Sequence, residues 1–354
     1  MGEKKREGKV ETAIFSGGYL SVMIIDGHDR RSDVVGKYRT ATKIRSLCVY
    51  AARALAVCAR GIYNESMKYG VIDIGSNSVR LMVSDGTKTL YKRVNTTRLS
   101  EGLGLTGKLT EAAMSRTADA AAEFVRAAEA DGCGEIYAFA TEAVRSASNG
   151  GEFVAMAAAR GVTVDVVRGE TEAKLGFYGA YSGGRQAVLD IGGASTELAI
   201  GGEDGMEYGK SLHIGSVRIK DLCGEDTDKI RAFAAKTVEG YGDGLPPFDK
   251  LISIGGTGST LVSVRERMKV YDTSRVHGAV LRREEIEKLA EDIHAVPLNE
   301  RGAIDGLPEK RRDVIVGAAL LMCAVMDRLD AKEIVVSESD NQEGYLRYRL
   351  GLIK

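Results

Sequence analysis

Residues 73–83 read Asp73-Ile74-Gly75-Ser76-Asn77-Ser78-Val79-Arg80-Leu81-Met82-Val83, and residues 190–200 read Asp190-Ile191-Gly192-Gly193-Ala194-Ser195-Thr196-Glu197-Leu198-Ala199-Ile200. The two align without a gap as D-I-G-x-x-S-x-x-L-x-[VI], 117 positions apart, about one small domain. Each predicts a strand, a tight turn and a returning strand. Turns of Gly, Ser and Asn or Thr let backbone N–H groups converge with little Cβ interference, which makes a concave anion site. The hydroxyls of Ser76, Ser78, Ser195 and Thr196 add donors. A carboxylate, Asp73 or Asp190, stands at each entrance. Two such hairpins facing each other would clamp a phosphate between two domains. Their carboxylates could hold Mg²⁺, which takes one or two carboxylates and completes its shell with water and phosphate oxygens. A third glycine cluster, Gly255-Gly256-Thr257-Gly258-Ser259-Thr260, follows a strand at Leu251 to Ile254. For a single copy, a hairpin turn capped by Asp is the plain alternative. Duplication at domain spacing, with a third cluster, favours the phosphate site. No cluster matches GxxxxGK[ST] or a GxGxxG that opens a helix, so Walker and Rossmann readings are poor.

The flanking text alternates strand and helix. Tyr69–Ile74 and Arg80–Ser84 read as strands around the first turn, followed by a helix over Glu111–Ala130. A strand over Glu135–Ala140, a helix over Glu152–Arg160, a strand over Val162–Val167 and a helix over Glu170–Tyr181 come next. Asp313–Asp327 reads as a core helix beneath the second sheet. Such alternation argues an α/β fold.

Composition sets outer limits. The 354 residues carry a net charge of −1, which gives no electrostatic case for a nucleic-acid binder. Residues 1–66 have 12 Lys and Arg against 7 Asp and Glu, so residues 67–354 are net acidic. That leading segment shows no sustained period; Tyr19–Ile25 suggests a short strand and Thr42–Tyr63 an amphipathic helix. It reads as an added surface arm, a functional basic arm, or translated upstream sequence with Met67 as the start. A signal peptide is not indicated. The longest uncharged runs, Thr12–Ile25 and Val314–Met326, are too short for a membrane span. Five cysteines (Cys48, Cys58, Cys133, Cys223, Cys323) contain no CxxC pair and read as small apolar side chains in a reduced, cytoplasmic compartment. His213 and His277 lie in glycine-containing text that could border a cleft, with structural roles the simpler reading.

These residues resemble the actin-like ATPase superfamily, with its two phosphate loops and later Gly-rich loop. Within it the text is similar to the Ppx/GppA phosphatase family. The matching pieces are VIDIGSNSVRL (71–81), ATEAVRSASN (140–149), VVRGETEAKL (166–175), VLDIGGASTEL (188–198), ISIGGTGSTL (252–261) and VSESDNQEGYL (336–346). Residues 1–66 fall outside the resemblance. It implies two actin-like (ribonuclease H-like) domains, residues 67–176 and 177–354, with an interdomain cleft. It further implies hydrolysis of the terminal phosphate of inorganic polyphosphate or of guanosine pentaphosphate, Mg²⁺ in the cleft, and a homodimer. By resemblance Glu172 is the catalytic base and Arg145 a phosphate-contacting arginine. Asp73, Asp190 and Glu197 are its acidic cleft residues, candidates for the metal. Ser76, Asn77 and Ser78, with Gly192, Gly193, Ala194, Ser195 and Thr196, match the phosphate loops, and Gly256, Thr257 and Gly258 the third loop.

The residues support several of these roles. Glu172 falls in the first turn of a helix, where a carboxylate also suits the helix dipole. Arg145 follows a strand, where loops carry ligands, and its fork can bind two phosphate oxygens. Glu197 alternates with Ser195 on one strand face. Departures from the family pattern are GGAST for GGGST, a rearranged third loop, and Asp340-Asn341-Gln342 in place of a glycine turn and an arginine. Asp and Asn tolerate a left-handed turn. The leading expectation is an exopolyphosphatase. The runner-up hydrolyses guanosine pentaphosphate and needs a base pocket near Gly255–Thr260. A third reading, a non-catalytic phosphate or nucleotide sensor, sits poorly with Glu172 and Glu197.

Overall fold

The computed structural model describes residues 12–16, 19–23 and 67–353. The chain divides into two units, residues 1–66 and 67–354. In the first, β1 (Thr12–Ser16) and β2 (Tyr19–Met23) pair as an antiparallel hairpin with Phe15 opposite Leu20. The strand expected at Tyr19–Ile25 is β2; the helix expected over Thr42–Tyr63 lies outside the described residues.

The second unit is built on two sheets. The first lobe runs β3 (Lys68–Ile74), β4 (Ser78–Ser84), β5 (Thr89–Thr96), α1 (Leu103–Thr106), α2 (Glu111–Ala130), β6 (Cys133–Ala140), α3 (Glu142–Ser146), α4 (Gly150–Ala158) and β7 (Val164–Val166). Its strand order is β5-β4-β3-β6-β7; the first three form an antiparallel meander, and β6 and β7 add in parallel. Helix α5 (Gly169–Ala180) leads into the second lobe. There follow β8 (Gln186–Ile191), β9 (Thr196–Gly202), β10 (Gly205–Leu212), α6 (Ser216–Cys223), α7 (Thr227–Val238), β11 (Lys250–Ile254), α8 (Gly256–Arg265) and α9 (Thr273–Val276). The lobe ends with β12 (Val280–Arg282), α10 (Arg283–Ala295), α11 (Ile315–Arg328), β13 (Glu333–Val336) and α12 (Asn341–Arg349). Its order is β10-β9-β8-β11-β13-β12: the same meander with parallel β11 and β13, plus an antiparallel edge strand. A meander extended by parallel strands, built twice, is the actin-like, ribonuclease H-like α/β fold.

Within residues 67–353 the expected elements are present, with ends moved by at most a residue or two. Thr110 caps α2 by accepting from the Ala113 N–H. The uncharged run at Val314–Met326 becomes α11, which packs Ile315, Leu321, Met322 and Met326 with Leu189, Leu251 and Ile334 of the second sheet. Among the described residues no helix is long and apolar enough to cross a membrane. Cys223 and Cys323 are buried and Cys133 half-buried, all three free thiols.

The division expected at residue 176 falls inside α5, and two helices belong to both lobes. Leu175 of α5 and Tyr345 and Leu346 of α12 pack with Val71, Met82 and Phe139 of the first sheet. Ala173 and Phe177, on the other side of α5, pack with Val188, Ala199 and Ile252 of the second. The Tyr345 ring stacks on Phe139 at 4.5 Å. The chain therefore returns to the first lobe at its end, a crossing that strand–helix alternation does not reveal.

Candidate active site

The two quoted stretches become equivalent hairpins. Ile74 pairs with Val79, and Ile191 with Thr196, so each meander closes over a short loop. In each, the loop's first glycine donates to the carbonyl three residues on, Gly75 to Ser78 and Gly192 to Ser195, both at 3.0 Å. The N–H groups of Ser76, Asn77, Gly193, Ala194 and Ser195 find no backbone acceptor among the described residues, which leaves them available to an anion. The loops face each other: a Cβ on Gly193 would lie 2.8 Å from the Ser76 Cβ and 3.3 Å from the Asn77 nitrogen. Glycine is needed there because the lobes meet backbone to backbone.

The third cluster opens helix α8, adding the unpaired first-turn N–H groups of a helix N-terminus. Gly255 is left-handed (φ 73°), and a Cβ on it would fall 2.6 Å from Asp190 Oδ1. The Thr257 hydroxyl donates to the Ile191 carbonyl at 3.2 Å, fastening this loop to the second. The Arg311 guanidinium crosses Gly256, where a Cβ would meet Nη2 at 1.8 Å. It has no carboxylate partner within salt-bridge distance among the described residues.

Not every expected donor faces the cleft. Thr196 is fully buried and its hydroxyl donates to the Ile214 carbonyl at 2.5 Å. Thr257 spends its hydroxyl as just described. Both contribute structure, through side chains turned into the fold. Ser76, Ser78 and Ser195 are buried within the loops, and Gly258 packs against Ser253.

The acids converge. Glu172, Glu197, Asp190 and Asp73 are all buried. Burial pushes Asp190 up to about 7, with the Asp340 and Asp73 carboxylates adding and Arg80 opposing. Burial likewise lifts Glu197 to about 8, helped by Asp190. Glu172 is raised well above the ordinary glutamate value by burial and then by Glu197, against the pull of Arg145. Asp73 is also raised by burial. Glu197 Oε1 accepts from the Ser211 hydroxyl at 2.6 Å, and its Oε2 is buried with no partner. Asp73 Oδ1 is buried and unpartnered too.

Arginines hold part of this charge. Arg145 Nη1 reaches Glu172 Oε2 at 3.1 Å and the Val167 carbonyl at 2.6 Å, while Nη2 reaches Glu142 Oε2 at 2.6 Å. Glu142 also accepts from His213 Nδ1 at 2.6 Å, from the other lobe. That histidine is an exposed cross-lobe contact, whereas His277 Nδ1 takes the Glu338 N–H. Arg80 bridges Asp73 (Nε, 3.0 Å) and Asp340 (Nη1, 2.5 Å). Asn341 Nδ2 donates to Asp190 Oδ2 at 2.7 Å, and Gln342 Nε2 to the Val71 carbonyl at 2.8 Å.

Asp73, Asp190 and Glu197 share the cleft, but among the described residues no three His, Cys, Asp or Glu side chains are grouped closely enough to hold an ion by themselves. Arg80 already occupies one oxygen of Asp73. The donors that remain are hard carboxylate oxygens, two of them buried and orphaned. They suit Mg²⁺, which keeps waters and substrate oxygens in its shell, better than a fully protein-coordinated ion.

Sequence reasoning gave no site role to Arg80, Glu142, Ser211, Arg311, Asp340 or Asn341. Arg80 had a signal: a lone charge in the apolar strand Val79–Val83 is buried only if paired.

The family profile for the Ppx/GppA phosphatase family matches residues 71–351. The chain belongs to the Ppx/GppA phosphatase family. This Ppx/GppA chain is 30% identical over 311 residues to a bifunctional 3-dehydroquinate synthase/phosphatase from Fusobacterium nucleatum, covering 80% of this chain and 46% of that one. The chain thus spans under half the length of that relative. It is 28% identical over 306 residues to exopolyphosphatase 1 of Mycobacterium leprae, covering 80% of this chain and 90% of that protein. Among solved structures, an exopolyphosphatase from Cytophaga hutchinsonii matches with a TM-score of 0.72 at 26% identity, over 81% of this chain and 99% of that one. The Aquifex aeolicus family member matches with a TM-score of 0.66 at 27% identity, over 81% and 98%. As a Ppx/GppA protein the chain is a hydrolase.

Proposed function

We propose that the chain is an exopolyphosphatase. The observation that carries this reading is the meeting of the two phosphate loops at Gly193 and Ser76, in a cleft that also buries Glu172. The terminal phosphoryl group of a polyphosphate chain would be received by the free loop N–H groups and by Arg311. Glu172 takes a proton from water as its oxygen bonds to the terminal phosphorus, and the bridging P–O bond breaks. The products are orthophosphate and a chain one unit shorter. Phosphoryl transfer depends on positioning and charge neutralisation, and both are what these loops and arginines offer. Arg145 orients Glu172 through Nη1 and is itself fixed by Glu142. Mg²⁺, held by Asp73, Asp190 or Glu197 through their open oxygens, would supply further charge neutralisation at the phosphate.

The second reading takes guanosine pentaphosphate as substrate. Its base would need room beside Gly255–Thr260, and the guanidinium of Arg311 covers that helix start. That guanidinium can grip a further phosphate through its fork or pair with guanine O6 and N7, so the comparison of substrates decides between the two.

The test is phosphate release from tripolyphosphate, longer polyphosphate and guanosine pentaphosphate, side by side, with and without Mg²⁺. Faster Mg²⁺-dependent release from the inorganic chains is expected. Release from the guanosine compound alone would refute the reading. Glu172→Gln should lower kcat by about 10²–10⁴-fold while tripolyphosphate still binds by calorimetry.

A further inference from the structure

We infer that Arg98 is a positioning residue: its guanidinium clasps Asp313 across the cleft and so ties the first phosphate loop to the segment that carries Arg311. This rests on the reading of the cleft as a phosphate site.

One end of the tie is backbone. After β5 the chain turns back over the first phosphate loop, where the Thr97 and Arg98 N–H groups both donate to the Asn77 carbonyl, at 3.1 and 2.9 Å. The Ser100 N–H donates to the Ser76 carbonyl at 2.9 Å. Three neighbouring contacts thus fix the turn that presents the Ser76 and Asn77 N–H groups. To make them Arg98 adopts a left-handed backbone (φ 52°), a conformation disfavoured for any residue with a Cβ. Glycine or asparagine would fit the backbone better, so the side chain is what calls for arginine.

The other end is that side chain. Nη1 donates to Asp313 Oδ2 at 3.0 Å and Nη2 to Asp313 Oδ1 at 2.9 Å, a two-pronged pair, and Nη2 also reaches the Lys310 carbonyl at 3.1 Å. Lys310 Nζ returns the contact to the Thr96 carbonyl at 3.2 Å. The Asp313 side chain is 9% exposed, and within its own lobe it also takes Lys220. Arg311, two residues before Asp313, lies over the third loop. One clasp therefore sets the distance between the two groups of donors a phosphate must touch together. Only a planar fork can fill both oxygens of one carboxylate and a neighbouring carbonyl at once. The pair breaks whenever the lobes part.

A clasp of this kind raises the population of the binding-competent closed form, so its loss appears in KM before kcat. Asparagine tolerates the left-handed backbone and removes the fork, so the full chain carrying Arg98→Asn is the test variant. With tripolyphosphate as substrate, KM should rise about tenfold and kcat stay within about twofold. Asp313→Asn should do the same, and the double variant should be no worse than either single one. Small-angle scattering without ligand should give a larger radius of gyration for Arg98→Asn than for the wild type, returning to the wild-type value with tripolyphosphate. An unchanged KM, effects that multiply in the double variant, or identical scattering would each overturn the inference. Should Arg98→Asn fail to fold by circular dichroism, Arg98→Lys, which keeps the charge without the fork, takes its place. If the wild type hydrolyses no phosphate compound, the proposed function fails, and scattering still decides the clasp.

Discussion

Replacing Asp190 by asparagine should make the protein more stable at alkaline pH. Asp190 Oδ2 accepts from Asn341, and its Oδ1 backs onto Gly255. Burial, with help from Asp340 and Asp73, raises it from an ordinary 3.8 to about 7, Arg80 notwithstanding. That difference corresponds to about 4 kcal/mol against the ionised native form. The folded pKa lies above the unfolded one, so the folded protein binds the extra proton between them. Stability from this group is complete below the unfolded value and is lost as pH climbs towards about 7. The asparagine side chain carries no charge to desolvate. Its amide also has an acceptor to hand in Asn341 Oδ1, which is buried without a partner. At about pH 8.5 the Asp190→Asn variant should gain up to about 4 kcal/mol, on the order of 8 °C in Tm for a chain of this size. The gain should shrink towards nothing near pH 4. Differential scanning fluorimetry across that range, without divalent ions, reads it directly. A variant that melts at or below the wild type at alkaline pH, or whose gain is the same at every pH, would refute the idea that this acid cluster is held at a cost.

Two further outcomes follow from the same geometry. As a base, Glu172 works only when ionised, and its pKa is raised well above the ordinary value; kcat/KM should therefore rise with pH across the weakly acidic range, and a profile flat down to about pH 5 would remove Glu172 from that role. Gly255→Ala places a methyl 2.6 Å from Asp190 Oδ1 on a left-handed backbone; the backbone alone costs about 1–2 kcal/mol, and chemical denaturation should show at least that loss.

Much of this arrangement is legible in the chain itself. The duplicated hairpins announce themselves because a phosphate loop needs a fixed order of small residues, and small residues leave a visible trace. Asp73, Asp190 and Glu197 stand at fixed places within that trace, so their convergence could be expected. The hydroxyl of Thr196 was misleading, since a threonine turned inwards to a carbonyl has the same letter as one turned out to a phosphate. Glu142 and Ser211 were invisible for a different reason. Each is an ordinary polar residue until tertiary contact sets it beside Arg145 or Glu197. The return of α12 to the first lobe is likewise a fact of packing, and with it came Asp340 and Asn341.

That return explains why the departures at 340–342 do not dismantle the site. Asp340 caps α12 by accepting from the Gln342 N–H at 2.9 Å and meets Arg80 of the first lobe. Asn341 meets Asp190 of the second. Gln342, fully buried, donates its amide to the Val71 carbonyl. Three neighbouring side chains thus reach both lobes. Of these three side chains Asp340 brings the cleft a carboxylate, and none brings a cation. Asp340 is held down at about 2 against the cost of its burial, by Arg80 and Lys92, so it stays ionised at any ordinary pH. It draws on the same Arg80 that faces Asp73. With that arginine divided between two carboxylates, and Arg145 between two more, a polyanion entering the cleft meets Arg311 and the loop N–H groups with the remaining acids opposite. The opposition would be relieved by protons on Asp190 and Glu197 or by the charge of a divalent cation. On the proposed function, a cation would be wanted already at binding: without Mg²⁺, tripolyphosphate should bind more tightly at about pH 6 than at about pH 9 in calorimetry, and equal affinity would show that the acids do not face the phosphate.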